Sequence, residues 1–331
     1  MLLAVGIASL FVGVLDMDVS GLAGGDAQQL QTLLASRLPR LLAILCTGAG
    51  MSIAGLIMQQ LTMNKFVSPT TGATIQSAQF GILMALLFLP GSSLVGRAAF
   101  AFACATLGTW VFVWFIQRVQ FKDVIMVPLI GIMFGYVITG VTNFFAYKFD
   151  MAQALSTWLT GHFSLVVRGD YELVFLVVPL IVVAFAFANH FNIVGLGKDL
   201  SKNLGVHYNL VLFGGLTICA MITASVVVTV GSISYIGLIV PNIVSMFKGD
   251  NLRGTLADTA LFGALFVLVC DIIGRVVIFP YELPIETIVG VVGSAVFIGL
   301  LLYKLNRGRA SVKLTFKGLR RRAAAEEGSG V

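Results

Sequence analysis

Residues 208–247 read YNLVLFGGLTICAMITASVVVTVGSISYIGLIVPNIVSMF, a continuous stretch without a charged side chain. A helix needs roughly 20 predominantly apolar residues to cross the ~30 Å hydrocarbon core of a bilayer. Because the backbone finds no water there, such segments satisfy their hydrogen bonds internally, as helices. The stretch therefore predicts either two crossings, 208–230 and 231–247, or one tilted helix followed by a re-entrant piece.

The same pattern extends outward over most of the 331-residue chain, in which charged residues make up only 11%. We predict an all-α, polytopic membrane bundle of about ten transmembrane helices with both termini in the cytoplasm. The predicted spans are 2–15, 41–61, 72–90, 94–117, 124–147, 171–191, 208–230, 231–247, 255–278 and 283–304. The first lacks a basic n-region and an Ala-x-Ala cleavage site, so we interpret it as a short span and not as a signal peptide.

Lysine and arginine set the orientation of these helices. With the N-terminus in the cytoplasm, fifteen of the 21 Lys and Arg residues lie on the cytoplasmic side, a clear positive-inside bias. Residues 1–306 are predicted to form one transmembrane domain, and 307–331 a basic cytoplasmic tail that is partly disordered. The net charge of +6 and the run Arg320-Arg321-Arg322 indicate contact with the lipid surface and no nucleic-acid partner.

Residue types that carry chemistry in other proteins lack the spacing that this chemistry needs. The four cysteines lie singly inside predicted spans, so we interpret them as packing residues, and the three histidines are too scattered for a metal site. The stretch Gly195-Leu196-Gly197-Lys198-Asp199 resembles a phosphate-binding loop, but Asp199 stands where Ser or Thr is required and Asn192 where the first glycine is required. We expect no metal, nucleotide or other cofactor in this chain.

Two neighbouring charged residues interrupt the apolar character of the ninth span in its second half. Asp271 and Arg275 are four residues apart, on one face of a helix, so they can form an intramembrane ion pair. Either the pair is purely structural, or Arg275 presents its guanidinium to a carboxylate on an external partner. A secondary carrier usually needs carboxylates deep in the bundle, and we expect none in the spans beyond Asp271 and Asp258.

Glycines in the spans are expected to let helix backbones approach closely. They are Gly48, Gly50, Gly55, Gly131, Gly135, Gly214, Gly215, Gly290 and Gly293. Together they predict a tight bundle without indicating what passes through it.

A set of short motifs occurs in the order typical of a known family. The motifs are Arg37-Leu38-Pro39-Arg40, Asn64 with Pro69 and Gly72-Ala73, Leu196-Gly197 with Leu204-Gly205-Val206, Gly237-Leu238-Ile239-Val240-Pro241, Asp271 with Arg275, and Glu282-Leu283-Pro284. Through them, residues 37–304 resemble the permeases of ferric-siderophore, haem and cobalamin ABC importers. Each motif alone is weak, and the ordered set carries the resemblance.

The resemblance implies partners and site residues. A pore would form between two permease subunits, and a paralogue is favoured over a second copy of this chain as the other subunit. A substrate-binding protein would dock outside, and a pair of ATPase subunits, which hold ATP and Mg, would dock inside. The residues expected to receive the binding protein are Arg37, Arg40 and Arg275. Those expected to couple to the ATPase are Leu196, Gly197, Leu200, Ser201, Leu204, Gly205 and Val206. Those expected to line the pore are Gln76, Gln79, Thr139, Asn143 and Ser294.

The residues themselves leave simpler explanations open. Arg37 and Arg40 can anchor the end of a helix at the interface, and residues 196–207 can be a plain amphipathic connector. In that connector Leu200 and Leu204 supply apolar area, and Gly205 can end a short helix. Most polar residues in spans bond to a neighbouring helix.

Several positions depart from the family pattern. Lys65 and Ser232 replace prolines, Tyr235 replaces Phe, Asn242 replaces His, and Gly293-Ser294-Ala295 replaces Gly-Ala-Pro. The last change removes a kink-prone proline and predicts a straighter final helix. As a set, these departures look closest to the catechol-type ferric-siderophore permeases and leave the cobalamin branch less favoured.

We therefore expect the permease subunit of an ATP-driven importer that carries a ferric-siderophore complex across a bacterial inner membrane. Such a chain is not an enzyme, because ATP hydrolysis belongs to a partner. The alternatives are a secondary carrier driven by an ion gradient, an importer of haem or cobalamin, and a membrane scaffold that transports nothing.

Overall fold

The computed structural model describes residues 1–13, 24, 26–89, 91, 93–118, 126–164, 166–169, 171–299 and 302. The tail predicted at 307–331 lies outside the described residues. Within them the regular structure is helical, and one isolated parallel β-bridge joins Thr160 to Ser232.

The helices are, in chain order, α1 (Leu2–Phe11), α2 (Ala27–Leu61), α3 (Thr74–Phe88), α4 (Leu94–Arg118), α5 (Met126–Lys148), α6 (Ala152–Leu159), α7 (Glu172–Val194), α8 (Lys198–Asn203), α9 (Tyr208–Val230), α10 (Ile236–Lys248), α11 (Leu252–Val276) and α12 (Ile285–Gly299). A π-helical turn at Leu33–Arg37 interrupts α2, and α7 begins with a 3₁₀ turn at Glu172–Leu176.

Each of the ten predicted spans corresponds to one of these helices. In the described part of the chain, six are long and apolar enough to cross a membrane, namely α2, α4, α5, α7, α9 and α11. The helices α1, α3, α10 and α12 are apolar but shorter, at 10–17 residues. The bundle is thus polytopic and helical, as predicted. The length of the four short helices does not by itself establish that they cross the membrane.

The helix α2 begins at Ala27, whereas the sequence predicted a span from residue 41. Asp26 is the missed signal, because its carboxylate accepts a hydrogen bond from the N–H of Gln28 at 3.0 Å, as an N-cap residue does. The first turns that follow are rich in glutamine, so a search for apolar spans passes over them.

The connection between α9 and α10 is irregular and buried. Ser232 donates from its N–H and its hydroxyl to the carbonyl oxygen of Leu159, at 3.0 and 2.8 Å, and the N–H of His162 donates to the carbonyl oxygen of Val230 at 2.9 Å. These bonds satisfy the non-helical backbone inside the bundle. They delay α10 to Ile236, so that α10 is 13 residues long and shorter than the predicted span 231–247. Whether it makes a full crossing stays a prediction.

The helix α2 lies at the centre of the bundle and packs against α9, α10 and α11. Its backbone meets α11 at Gly48 and Gly263, and it meets α10 at Gly55 and Gly237. A methyl group on Gly48 would lie 2.5 Å from the carbonyl oxygen of Gly263, which is closer than real side chains approach. The two helices therefore pack backbone to backbone, as the glycines in the second span predicted.

The remaining glycines divide into two groups. Gly50, Gly131, Gly135, Gly215 and Gly293 also face neighbouring segments that a methyl group would contact. Gly214 and Gly290 have no other part of the described chain within 4 Å of an added methyl group, so the expectation of close packing was wrong for these two.

Replacing Gly48 by alanine should lower the melting temperature of the protein in detergent. The new methyl group forces α2 and α11 apart, and overpacking of this kind costs about 1–3 kcal/mol. Gly290→Ala is the matched control, since its methyl group meets nothing within 4 Å. It should be neutral or stabilising by up to about 1 kcal/mol, because alanine favours helix more than glycine does. Equal melting temperatures for the two variants would contradict this packing.

Candidate functional site

Polar groups gather at two opposite ends of the bundle. One end holds residues 196–207, which we call the coupling segment, and the other holds Arg40, Asp271 and Glu282. We call them the coupling end and the arginine end, and α11 runs from one to the other. The positive-inside bias predicts that the coupling end is cytoplasmic.

The coupling segment contains a short helix bounded by two glycines. The helix α8 starts after Gly197, with φ of +106°, and ends before Gly205, with φ of +76°, conformations that side chains rarely adopt. Ser201 is fully buried and donates to the carbonyl oxygens of Ile193 at 2.9 Å and Gly197 at 2.6 Å. The coupling segment is therefore held firmly against the end of α7.

Three leucines of the coupling segment point away from the bundle. Leu196, Leu200 and Leu204, which we call the leucine patch, are 58%, 53% and 59% exposed. Val206, expected in the same apolar ridge, is half-buried. Large apolar side chains grouped at the end of a bundle are typical of a surface that another protein covers.

Asn192 connects the coupling segment to α11. It precedes Ile193, whose carbonyl holds Ser201, and its own Oδ1 accepts from the N–H of Leu252 at 3.1 Å. Its Nδ2 donates to Asn251 Oδ1 at 3.1 Å. Asn251 makes no capping bond to its own helix, so Asn192 acts as the N-cap of α11 from a neighbouring helix.

Two departures from the family pattern, Lys65 and Asn242, contact each other at the coupling end. Asn242 Nδ2 donates to the carbonyl oxygen of Lys65 at 2.9 Å, and the Lys65 ammonium pairs with Asp250 at 2.7 Å. Exposed pairs of this kind contribute about 0–1 kcal/mol. The two substitutions thereby link the end of α2 to the turn between α10 and α11.

A buried ion network occupies the arginine end. Arg40 donates to Asp271 Oδ1 at 2.7 Å and to both oxygens of Glu282 at 2.9 Å. Arg275 pairs with the other oxygen of Asp271, which confirms the predicted ion pair. Because Asp271 is 3% exposed, these two guanidinium groups balance a charge that solvent hardly reaches. Removing one partner of such a buried pair costs about 3–5 kcal/mol.

Arg275 also holds the end of α1. It donates to the carbonyl oxygens of Ser9 at 2.9 Å and Val12 at 2.8 Å, and to the Ser9 hydroxyl at 2.5 Å. Arg37 donates to the same Val12 carbonyl. Cations at a helix C-terminus satisfy its last carbonyl groups and favour its dipole.

The structure changes what is expected of the three arginines. Arg275 is only 4% exposed and is covered by α1, which favours the structural ion pair of the two interpretations that the sequence left open. Arg37 is buried as well. The most accessible part of the network is the pair of Arg40 and Glu282, whose side chains are 12% and 26% exposed. Docking of an external protein at these residues stays a prediction.

Four of the predicted pore residues lie on α3 and α5. Gln76 lies against Gly135, and Thr139 donates to the Gly135 carbonyl oxygen at 2.9 Å, so the structure brings Gln76 and Thr139 to one interface. Gln79 is half-buried, and Asn143 is exposed on α5. Gln76 Oε1 is buried without a hydrogen-bond partner among the described residues.

The fifth, Ser294, lies on α12, where the preceding Gly293 packs against Ile239 of α10. Ser294 itself is half-buried, and its place in the pore stays a prediction. The helix α5 leaves a long apolar face exposed, with Met126, Leu129, Ile132, Met133, Tyr136, Val137, Val141, Phe144 and Tyr147. A bundle that exposes such a face to lipid offers it equally to another membrane protein.

Sequence reasoning missed three acidic or capping residues. Glu282 was quoted within a motif without a role, and Asn192 was considered only in relation to a phosphate loop. Glu286 lies in the last span and accepts hydrogen bonds from Ser232 at 3.4 Å and Ser234 at 3.3 Å, so the expectation of no further carboxylate in the spans was wrong. A count of acidic residues inside the predicted spans would have found it.

Cofactor chemistry finds no obvious anchor in the described part of the chain. No three His, Cys, Asp or Glu side chains there are grouped as a metal ion needs. All four cysteines are free thiols.

Comparison with known proteins adds the evolutionary context. The profile of the FecCD transport family matches residues 1–303. The chain is 46% identical to the petrobactin import system permease protein YclN of Bacillus subtilis over 302 residues, covering 91% of this chain and 96% of that protein. It is 38% identical to the ferric-anguibactin transport system permease protein FatD of Vibrio anguillarum, covering 89% and 94%.

A solved structure of a metal-chelate type ABC transporter in an inward-facing conformation is similar to the whole bundle. The TM-score is 0.78 at 26% identity, and the match covers 92% of this chain and 96% of that one. The family resemblance inferred from the ordered motifs is confirmed. The chain is a multi-pass membrane protein that belongs to the FecCD transport family.

Proposed function

We propose that this chain is the permease subunit of an ATP-driven importer for a ferric-siderophore complex in the bacterial inner membrane. It performs no covalent chemistry itself, and a separate ATPase pair with ATP and Mg drives it. The observation that carries the proposal is the leucine patch on a helix fixed to the bundle by Ser201. An apolar patch of this kind on a firmly held helix suits a groove on a partner.

The cargo class rests on the relatives. Petrobactin and ferric anguibactin are named for the two permeases at 46% and 38% identity, and the departures from the wider family favour the same branch. A ferric siderophore is therefore the best-supported cargo, ahead of haem or cobalamin.

A second permease would complete the pore. The exposed face of α5 carries Tyr136, Phe144 and Tyr147 beside Asn143, and Gln76 and Thr139 lie just behind it. We propose that another permease covers part of this face and that the cargo passes between the two chains. A paralogue is favoured over a second copy of this chain.

A secondary carrier is the less favoured alternative. It would need a carboxylate free to take up and release a cation. Asp271, the deepest candidate the sequence offered, is held by two arginines instead, and the Glu286 carboxylate accepts hydrogen bonds from Ser232 and Ser234.

Leu200→Asn should reduce the amount of ATPase that co-purifies with the permease by tenfold or more. Burying a leucine contributes about 1.5–3 kcal/mol, and this leucine points away from the bundle, so the permease itself should stay folded. Lys202→Gln is the control, because it changes an exposed side chain on the same helix without removing apolar area. Recovery of a folded chain that needs no ATPase and moves cargo on an ion gradient would overturn the proposed function.

Asn192→Leu should separate ATP hydrolysis from transport. The variant loses the cap on α11, so the assembled complex should still hydrolyse ATP while uptake of iron-labelled chelate falls several-fold. Asn192→Asp retains an oxygen acceptor for the Leu252 N–H and should recover most of the uptake. If both variants transport as the native chain does, Asn192 has no part in coupling.

Glu282→Gln should strengthen docking of the binding protein at the arginine end. Losing the Glu282 charge frees Arg40 for a carboxylate on the partner, whereas Arg40→Gln should weaken docking. Affinity measured at two salt concentrations checks both signs, since screening should reduce the difference. Weaker docking of the Glu282→Gln variant, with an unchanged melting temperature, would remove Arg40 from the docking surface.

A further inference from the structure

A cavity of about 450 Å³ opens at the arginine end between the start of α4, the end of α6 and the end of α9. Its polar lining comes from Arg97, Trp158, His162, Thr157, Thr160 and Thr229. None of these residues belongs to the coupling segment, the ion network or the predicted pore.

Arg97 is the charged residue of this cavity. Its guanidinium carbon lies 4.5 Å from the centre of the Trp158 ring, which places the cation over an aromatic face. It forms no ion pair with any residue that the structure describes, unlike Arg40 and Arg275. Its Nε is buried and has no hydrogen-bond partner in the same part of the chain. A buried donor left unpaired is unfavourable, so Arg97 retains hydrogen-bonding capacity that the described protein does not use.

The chemistry of the lining selects an anion. Arg97 and His162 are its titratable groups, and none of the described residues that line the cavity is a carboxylate. The three threonine hydroxyls donate to carbonyl oxygens of their own segments, at 3.0, 2.9 and 2.8 Å. A guanidinium fork matches the oxygens of a phosphate or carboxylate, so the ligand should present such a group.

The position of the cavity favours a lipid over a dissolved anion. It lies where α4 begins and α9 ends, at the level where a bilayer would present its headgroups, and Trp158 suits that depth. Val95, which follows the lining residue Leu94, is 66% exposed. Leu94, Val228 and Val230 complete the lining with apolar area. An acyl chain could lie along these residues while its headgroup enters the cavity.

We propose that this cavity binds the phosphate group of a phospholipid from the leaflet at the arginine end. The Arg97 guanidinium pairs with the phosphate oxygens, and the Trp158 ring holds the guanidinium in place. This site is independent of the proposed transport function.

The test is native mass spectrometry of the full chain with whichever subunits remain bound, delipidated and titrated with short-chain phosphatidylglycerol. Arg97→Gln should weaken binding of the tightest lipid at least tenfold, and Arg97→Lys should weaken it less, because lysine keeps the charge without the fork. Lys148→Gln is the matched control, since Lys148 is a cation over the Phe149 ring at the same end, outside the cavity. It should bind the lipid as the native chain does.

Two competing ligands separate the sources of the anion. Inorganic phosphate at millimolar concentration should displace little lipid, because it lacks the acyl chains. Full displacement by phosphate would show a site for a free anion and overturn the proposal. Displacement by a ferric chelate that depends on Arg97 would make the cavity a cargo site and overturn it as well. Equal lipid affinity of the Arg97→Gln variant, with an unchanged melting temperature, would also exclude the proposed site.

Discussion

The carboxylate of Asp271 is the point on which the arginine end of the molecule depends. It lies between the guanidinium groups of Arg40 and Arg275, and these carry the connection onward to Glu282 and to the end of α1. In an apolar medium an isolated charge is very costly, so each member of this network is tolerable because the others are present. The network thereby fixes three distant parts of the chain to one another, namely the end of α1, the helix α2, and the stretch from Asp271 to Glu282.

The helix α11 extends this constraint to the other end. Its last two turns carry Asp271 and Arg275, and its first turn is capped by Asn192, which adjoins the carbonyl that holds Ser201. A rigid helix with polar attachments at both ends suits the transmission of a displacement between the coupling segment and the arginine network. These contacts form a continuous path through which a movement of the coupling segment could reach the arginine end.

Much of this architecture could be predicted from the sequence because lipid imposes a simple rule on apolar stretches. All ten predicted spans became helices, and the spacing of Asp271 and Arg275 predicted their contact. The bounds failed where polar signals overrode hydropathy, as at Asp26 and at Ser232. Long-range partners such as Glu282 for Arg40 could not be predicted, because no local pattern records which loop returns to which helix end.

The exposed face of α5 has a consequence for how this protein selects its neighbours. Lipid tails are as apolar as Tyr136, Phe144 and Val137, so covering these side chains with protein gains little from the hydrophobic effect. A chain that covered this face would have to displace lipid through the shape of its side chains. Selection between a second copy and a related permease would then depend on side-chain shape. Substitutions between apolar residues of similar hydropathy could therefore change which chain pairs with this one. A hydropathy plot of the sequence would not detect such a change.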